Sequence, residues 1–329
     1  FENARVAIPK TVVLCTDVFD EFMDINNLYQ IALSDADDDT ILRYFLKAKL
    51  PDRLVEDFFT FFDVVKSPIA IRSSSLLEDS HYQPFAGIYN TYMIPYLDDR
   101  YEMLRMLSDA IKGVYASVYF RDSKAYMQAT SNVIDQEKMA VILQEVVGNQ
   151  YGDRYYPSMS GVARSLNYYP LGDEKAEEGT VNLALGLGKY IVDGGMTLRF
   201  SPYHPNQVLQ TSEMEIALKE TQTRFYALKN AGHDFSIDDG FNLLKLHVKE
   251  AENDGALRYI ASTYDPYDQV IRDGLYPGGR KVITFANILQ HDVFPLPRIL
   301  QLVLKYGEQE MRRPVEIEFA ATMSREQDK

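Results

Sequence analysis

Residues 67–95 read SPIAIRSSSLLEDSHYQPFAGIYNTYMIP. An apolar run ends in Arg72 and three serines, an acidic pair and a glycine loop follow, and a second apolar run closes at Ile94. PIAIRSS reads as a short buried strand and GIYNTYMI as a second. An arginine at the end of a buried strand has a fixed stem, and its planar guanidinium can bind a phosphate through two parallel hydrogen bonds. Ser73 and Ser74 add hydroxyls and strand-end N–H groups. Gly87, in QPFAGIYNT, lets the backbone approach a ligand closely, as a flap over phosphates would. The commoner reading of the same residues is a solvated turn in which Arg72 pairs with Glu78 or Asp79, followed by an ordinary hairpin. No GxGxxG or P-loop pattern accompanies them.

Two further segments carry the same ambiguity. VILQEVV, residues 141–147, is a hydrophobic strand that turns polar at Gln144 and Glu145. It reads as a core strand with a polar end, or as a hinge whose backbone reads the edge of a purine. VEIEFA, residues 315–320, alternates Glu316 and Glu318 with apolar residues. Residues two apart on a strand point to the same side. Two such carboxylates repel unless a cation bridges them, and Mg²⁺ carrying nucleotide phosphates is bound by one or two carboxylates. The commoner reading of E-x-E is a strand with one face in water.

Bulk composition narrows the field. The chain has 329 residues and a formal net charge of −14. That length suggests two or three subdomains, and that acidity disfavours non-specific binding to a nucleic-acid backbone. A small phosphorylated ligand needs only local cations, backbone N–H groups and a divalent metal. No apolar run approaches the ~18 residues of a membrane span, and FENARVAIPK is not a signal peptide. The single cysteine, Cys15, excludes a disulfide within the chain and fits a reducing, cytoplasmic compartment. Its apolar neighbours in TVVLCTDVF predict a buried structural thiol. The five histidines show no metal-ligand spacing.

Periodicity predicts helices after Asp17, which is placed to cap the first, and two more over 38–65. It predicts a long helical stretch over 100–129 broken near Phe120–Asp122, further helices over 212–230 and 240–253, and one from Pro295 to Met311. Strands are expected at KMAVILQEVV, SGVARSLNYY, EGTVNLALGLG, GALRYIAST, RKVITFANIL and RPVEIEFAA. Without a strict βαβ alternation, this mixture predicts an α+β architecture in several layers. Subdomains are expected over 1–135, 136–205 and 206–329.

Taken in order, these pieces resemble the nucleotide-binding domain of phosphoenolpyruvate synthase and pyruvate phosphate dikinase. IRSSSLLEDSHYQPFAGIYNTYMI resembles that family's R-S-S and F-A-G segment, and AIKGVYASVYFRDSKAYM its following helix. MAVILQEVV resembles its adenine-hinge strand, LALGLGKYIVDGGMTLRFSP its G-L-G-E region, and YGEQEMRRPVEIEFA its closing acidic strand. Residues 203–280 match least.

The resemblance implies an ATP-grasp fold with the nucleotide in an interdomain cleft, and ATP and Mg²⁺ as ligands. Arg72 would bind the transferring phosphates, with Ser73, Ser74 and Gly87 beside them. Gln144, Glu145 and Val146 would line the adenine pocket, and Glu316 and Glu318 would hold Mg²⁺. In the family, ATP phosphorylates a histidine on a separate domain and pyruvate then receives the phosphoryl group. The chain would thus be one domain of a longer kinase or phosphotransferase, lacking the family's upstream ATP-binding lysine segment and the T-x-H-A phosphohistidine motif. Lys189 stands for the glutamate of G-L-G-E, and Leu198–Arg199 for a proline–aspartate. Those departures imply two alternatives: a catalytically silent nucleotide-binding module, or the same domain serving another phosphoryl acceptor.

Overall fold

A computed structural model of the chain describes residues 4–75, 78, 89–129, 137–232, 235–238, 240 and 242–323. The chain divides into two compact units. Ile8–Val146 and Lys229–Leu243 form the N-terminal unit; Phe1–Ala7, Val147–Leu228 and Leu244–Lys329 form the C-terminal unit. Each mixes helices with antiparallel sheets, as an α+β chain does. No helix among the described residues is long and apolar enough to cross a membrane.

The N-terminal unit runs β1 (Thr11–Leu14), α1 (Thr16–Ile25), α2 (Tyr29–Ala32), α3 (Asp38–Lys47), α4 (Leu54–Val64), β2 (Ile69–Ser74), β3 (Tyr92–Ile94), α5 (Arg100–Ser117), α6 (Arg121–Ala129) and β4 (Ala140–Glu145). The strands form one antiparallel sheet in the order β1-β4-β2-β3. Apolar residues at helical spacing, Phe19, Phe22 and Met23 on α1 and Ile41 and Phe45 on α3, are buried against Tyr115 and Tyr119 of the α5 region. Phe19 and Tyr115 meet edge-on with centroids 5.0 Å apart, and Phe45 lies 6.0 Å from Tyr119. Asp37 and Asp99 cap α3 and α5, each accepting from first-turn backbone N–H groups. The excursion 229–243 belongs here because Asn230 accepts from the Tyr96 N–H at 2.9 Å and Asn242 donates to the Met93 carbonyl at 3.1 Å.

The C-terminal unit continues with β5 (Asn149–Tyr151), β6 (Arg154–Tyr156), β7 (Met159–Arg164), β8 (Thr180–Ala184), α7 (Lys189–Val192), β9 (Leu198–Phe200), α8 (Met214–Glu220), β10 (Arg224–Lys229), β11 (Leu243–His247) and α9 (Val248–Asn253). It ends with β12 (Ala261–Asp265), β13 (Val270–Asp273), β14 (Arg280–Ile283), α10 (Ala286–Leu289), α11 (Leu296–Met311) and β15 (Glu316–Ala321). Its sheets are ordered β15-β7-β8-β9, β11-β10-β6-β5 and β13-β12-β14. In the first, Phe319 lies directly opposite Gly161. A Cβ at Gly161 would come within 2.3 Å of the Phe319 ring, so the ring occupies the space that glycine leaves.

Four local expectations need correction. The helix expected over 212–230 stops at Glu220, and RFYALK forms β10, with Phe225, Ala227 and Leu228 buried. The helix expected over 240–253 begins only at Val248, because LLKLH forms β11 beside β10. RKVITFANIL divides into β14 and α10, turning at Phe285 with φ 52°. Cys15 is exposed and is itself the N-cap of α1, with Asp17 inside the first turn. The reason is that β1 is an edge strand on which only Leu14 is buried.

Candidate functional site

Directly paired residues of an antiparallel sheet share a face. In the N-terminal unit Arg72 pairs with Ile142, Ala70 with Gln144, and Ser74 with Ala140. On β1, Thr11 and Val13 face the same way through Gln144 and Ile142. Arg72, Ser74 and Gln144 thus project from one face, whose residues are largely half-buried or exposed. The opposite face carries Ile69, Ile71, Val141, Leu143, Tyr92 and Ile94, all buried in the core. Ser73 and Glu145 project on that side.

These last two residues hold the scaffold. Ser73 Oγ donates to Glu78 Oε1 at 2.6 Å, and the Ser75 N–H donates to Glu78 Oε2 at 3.0 Å. Glu145 accepts from Ser67 Oγ at 3.2 Å. The N–H groups of Glu145 and Val146 donate to the carbonyls of Lys10 and Pro68, both at 2.9 Å. Gln144 Nε2 donates to Thr11 Oγ1 at 3.1 Å. Gly87 lies outside the described residues.

Beyond the serines lies a pair that no sequence motif singles out. Tyr89, 5% exposed, donates its hydroxyl to Glu137 Oε1 at 3.2 Å, and Glu137 is 8% exposed. Burial pushes the Glu137 carboxyl above its ordinary value, and the charge of Glu78 adds to that, while the hydrogen bond from Tyr89 opposes it. Burial also raises the Tyr89 phenol, with the Glu137 charge second. Only its position just ahead of β4 distinguishes Glu137 in the sequence.

In the C-terminal unit Glu316 pairs with Arg164 and Glu318 with Val162; Val162 pairs with Asn182, and Asn182 with Arg199. One polar sheet face therefore carries Glu316, Glu318, Arg164, Asn182 and Arg199, while Ala163, Val181, Leu183, Leu198 and Phe200 fill the other. Both glutamates are exposed, on an edge strand, about 7 Å apart along it. Arg164 Nε donates to Glu316 Oε2 at 2.5 Å. Two exposed carboxylates fit Mg²⁺ in its usual form, with waters and phosphates completing the octahedron. Arg164 competes for one of them. Among the described residues no three acidic, histidine or cysteine side chains form an all-protein cage.

Lys189 and Arg199 are both held within the unit. Lys189 Nζ bonds Asp193 Oδ1 at 3.3 Å, one turn along α7. Arg199 forks onto Glu174, with nitrogens 3.2 Å from Oε1 and 2.7 Å from Oε2, and also reaches Asn167 Oδ1 and the Tyr169 carbonyl. The Glu174 side chain is 1% exposed. Burial works to raise its carboxyl, but the bonds from Arg199, the Leu171 N–H and Asn167 outweigh it and hold the group below its ordinary value. In the sequence PLGDEKAEEG reads only as an acidic loop, and nothing local marks Glu174; its one distinguishing partner lies 25 residues on. The glycine run before Lys189 is closely packed. Gly186 has φ 88°, a Cβ there would come 2.6 Å from the Tyr226 carbonyl oxygen, and its own carbonyl accepts from Ser160 Oγ at 2.6 Å.

Comparison with known proteins places the chain in a family. Residues 1–328 match the family described as pyruvate phosphate dikinase, AMP/ATP-binding domain. A curated relative, the uncharacterized phosphotransferase YvkC of Bacillus subtilis (strain 168), is 25% identical over 190 residues. That alignment takes in 58% of this chain but only 20% of the relative, so the chain spans about a fifth of the relative's length. With the match running through both units, the chain belongs to the pyruvate phosphate dikinase AMP/ATP-binding domain family.

Proposed function

We propose that the chain is the ATP-grasp-like nucleotide domain of a phosphoenolpyruvate synthase-like phosphotransferase. The observation that carries this is the grouping of Arg72, Ser74 and Gln144 on one face of an otherwise core-forming sheet. Arg72 holds the transferring phosphates with a stem fixed by the interior strand β2, and Ser74 and Gly87 contact them. Ser73 acts through Glu78, keeping the strand exit in place. Gln144 presents its side chain to the purine. Glu145 and Val146 shape the adenine pocket, where a backbone carbonyl would accept from the exocyclic amine. Glu316 and Glu318 would hold Mg²⁺, which neutralises phosphate charge. Phosphoryl transfer demands little covalent chemistry of a protein, so positioning and charge carry the catalysis. The acceptor is a histidine on a separate domain of the parent protein, and pyruvate the onward acceptor; the single cysteine supports a cytoplasmic setting.

A second reading, a nucleotide-binding module without transfer, is favoured by one observation. Where the resemblance leads one to expect two acids, this chain places Lys189 and Arg199, each engaged by an internal carboxylate.

Calorimetry with ATP and Mg²⁺ tests the first claim. Arg72→Ala should weaken ATP by about tenfold to a hundredfold, the range for a hydrogen bond to a charged group. Unchanged affinity would remove Arg72 from the site. Phosphohistidine formation by the full-length parent separates the two readings.

A further inference from the structure

The C-terminal unit holds a cleft of about 310 Å³ that the nucleotide reading does not use. Three separate stretches build it: the loop at Leu171–Glu174, the segment Asn206–Ser212, and Gln290 just after α10. We propose that this cleft is a binding site for a neutral sugar of about one pyranose ring.

The chemistry of the lining selects that class. Asn206, Gln207 and Gln290 bring three exposed side-chain amides to the cleft, and among the described residues their amide groups are left to solvent or a ligand. Each offers donors and an acceptor, the complement of adjacent hydroxyls. The one ionisable lining group, Glu174, has both oxygens engaged and its charge met by Arg199. An ionic ligand would therefore find no unpaired counter-charge among the described lining residues. Leu171, Val208 and Leu209 add an apolar side, which suits the C–H face of a sugar ring. The volume lies at the small end of ligand sites.

The wall is also built to hold its shape. Asn167 and Glu174 are 2% and 7% exposed, and with Arg199 they tie the 167–174 loop down through seven hydrogen bonds. A pre-organised wall lowers the ordering cost of binding. Arg199, one of the residues that depart from the family pattern, thus gains a role as the fastener of this wall.

The test is NMR of the side-chain amides in the full chain, titrated separately with glucose, maltose, N-acetylglucosamine, glucose 6-phosphate and AMP. At least one neutral sugar should shift the Asn206, Gln207 and Gln290 amides saturably, and glucose 6-phosphate should not. Gln290→Ala should weaken that sugar by about fivefold, the loss of one neutral hydrogen bond, with AMP affinity unchanged. The proposal is overturned if no neutral sugar gives a saturable shift, or if Gln290→Ala and Asn206→Ala both bind as the parent does. It is also overturned if AMP shifts these same amides, since the cleft would then belong to the nucleotide. A failure to bind AMP at all would count against the nucleotide reading alone.

Discussion

The two four-stranded sheets that carry the candidate residues differ in one respect. In the N-terminal unit the arginine sits on β2, flanked by β4 and β3, over a core of stacked helices. In the C-terminal unit the two glutamates sit on β15, an edge strand with one neighbour. An interior strand holds its side chains at fixed stems; an edge strand lets its side chains adjust. A phosphate-binding arginine profits from the first, because a preorganised charge costs no reorganisation when the ligand arrives. Carboxylates that share a hydrated cation tolerate the second.

The largest test of that contrast removes an aromatic ring from the core cluster that β2 shares with the helices. Phe45→Ala should cost about 3–5 kcal/mol in urea denaturation, as for other buried aromatics, and hydrogen exchange should quicken in the N-terminal unit. Equal loss of protection in both units would break the distinction. A smaller signal comes from pH, where the units should respond with opposite sign. Glu137 has a raised folded pKa, so its contribution is present below the ordinary glutamate value of 4.5 and lost as pH rises through the folded pKa. Glu174 has a lowered folded pKa, so its contribution is present above 4.5 and lost as pH falls through the folded pKa. Protection factors, which remove the intrinsic pH dependence of exchange, should thus fall around residues 137–145 toward neutral pH and around 167–174 toward acid. Glu137→Gln and Glu174→Gln should each flatten only their own unit's profile. The smallest effect concerns the edge strand. The Arg164–Glu316 pair is substantially exposed, 39% and 53%, and such pairs are worth at most about 1 kcal/mol. Arg164→Ala should therefore tighten Mg²⁺, followed by Mn²⁺ competition, by up to about fivefold. Unaltered or weaker binding would show that the arginine does not compete.

Much of this arrangement is legible in the residues themselves. The strand through Arg72, the break between α5 and α6, the strand through Gln144 and the closing E-x-E strand all follow from local pattern. What local pattern misses is set by distant partners. MEIALKETQTRFYALK is rich in helix formers, yet its second half becomes β10 because β6 and β11 offer edges. Ser73 and Glu145 sit inside the right motifs, but strand parity turns both from the open face. The division between units falls after Val146 because β4 pairs with both β1 and β2, strands far back in the chain whose pairing no local pattern announces. Glu174 and Glu137 are invisible for the same reason: their character comes from burial and from partners remote in sequence.

The ring of Phe319 over Gly161 has a consequence for the acid pair. On an edge strand, a slide of one position along the neighbour would exchange the two faces and drive both glutamates into apolar surroundings. The notch at Gly161 is a key that fits one ring at one position, so it works as a stop. The outward aim of Glu316 and Glu318 is thereby guarded by two residues that carry no charge and need never touch a ligand.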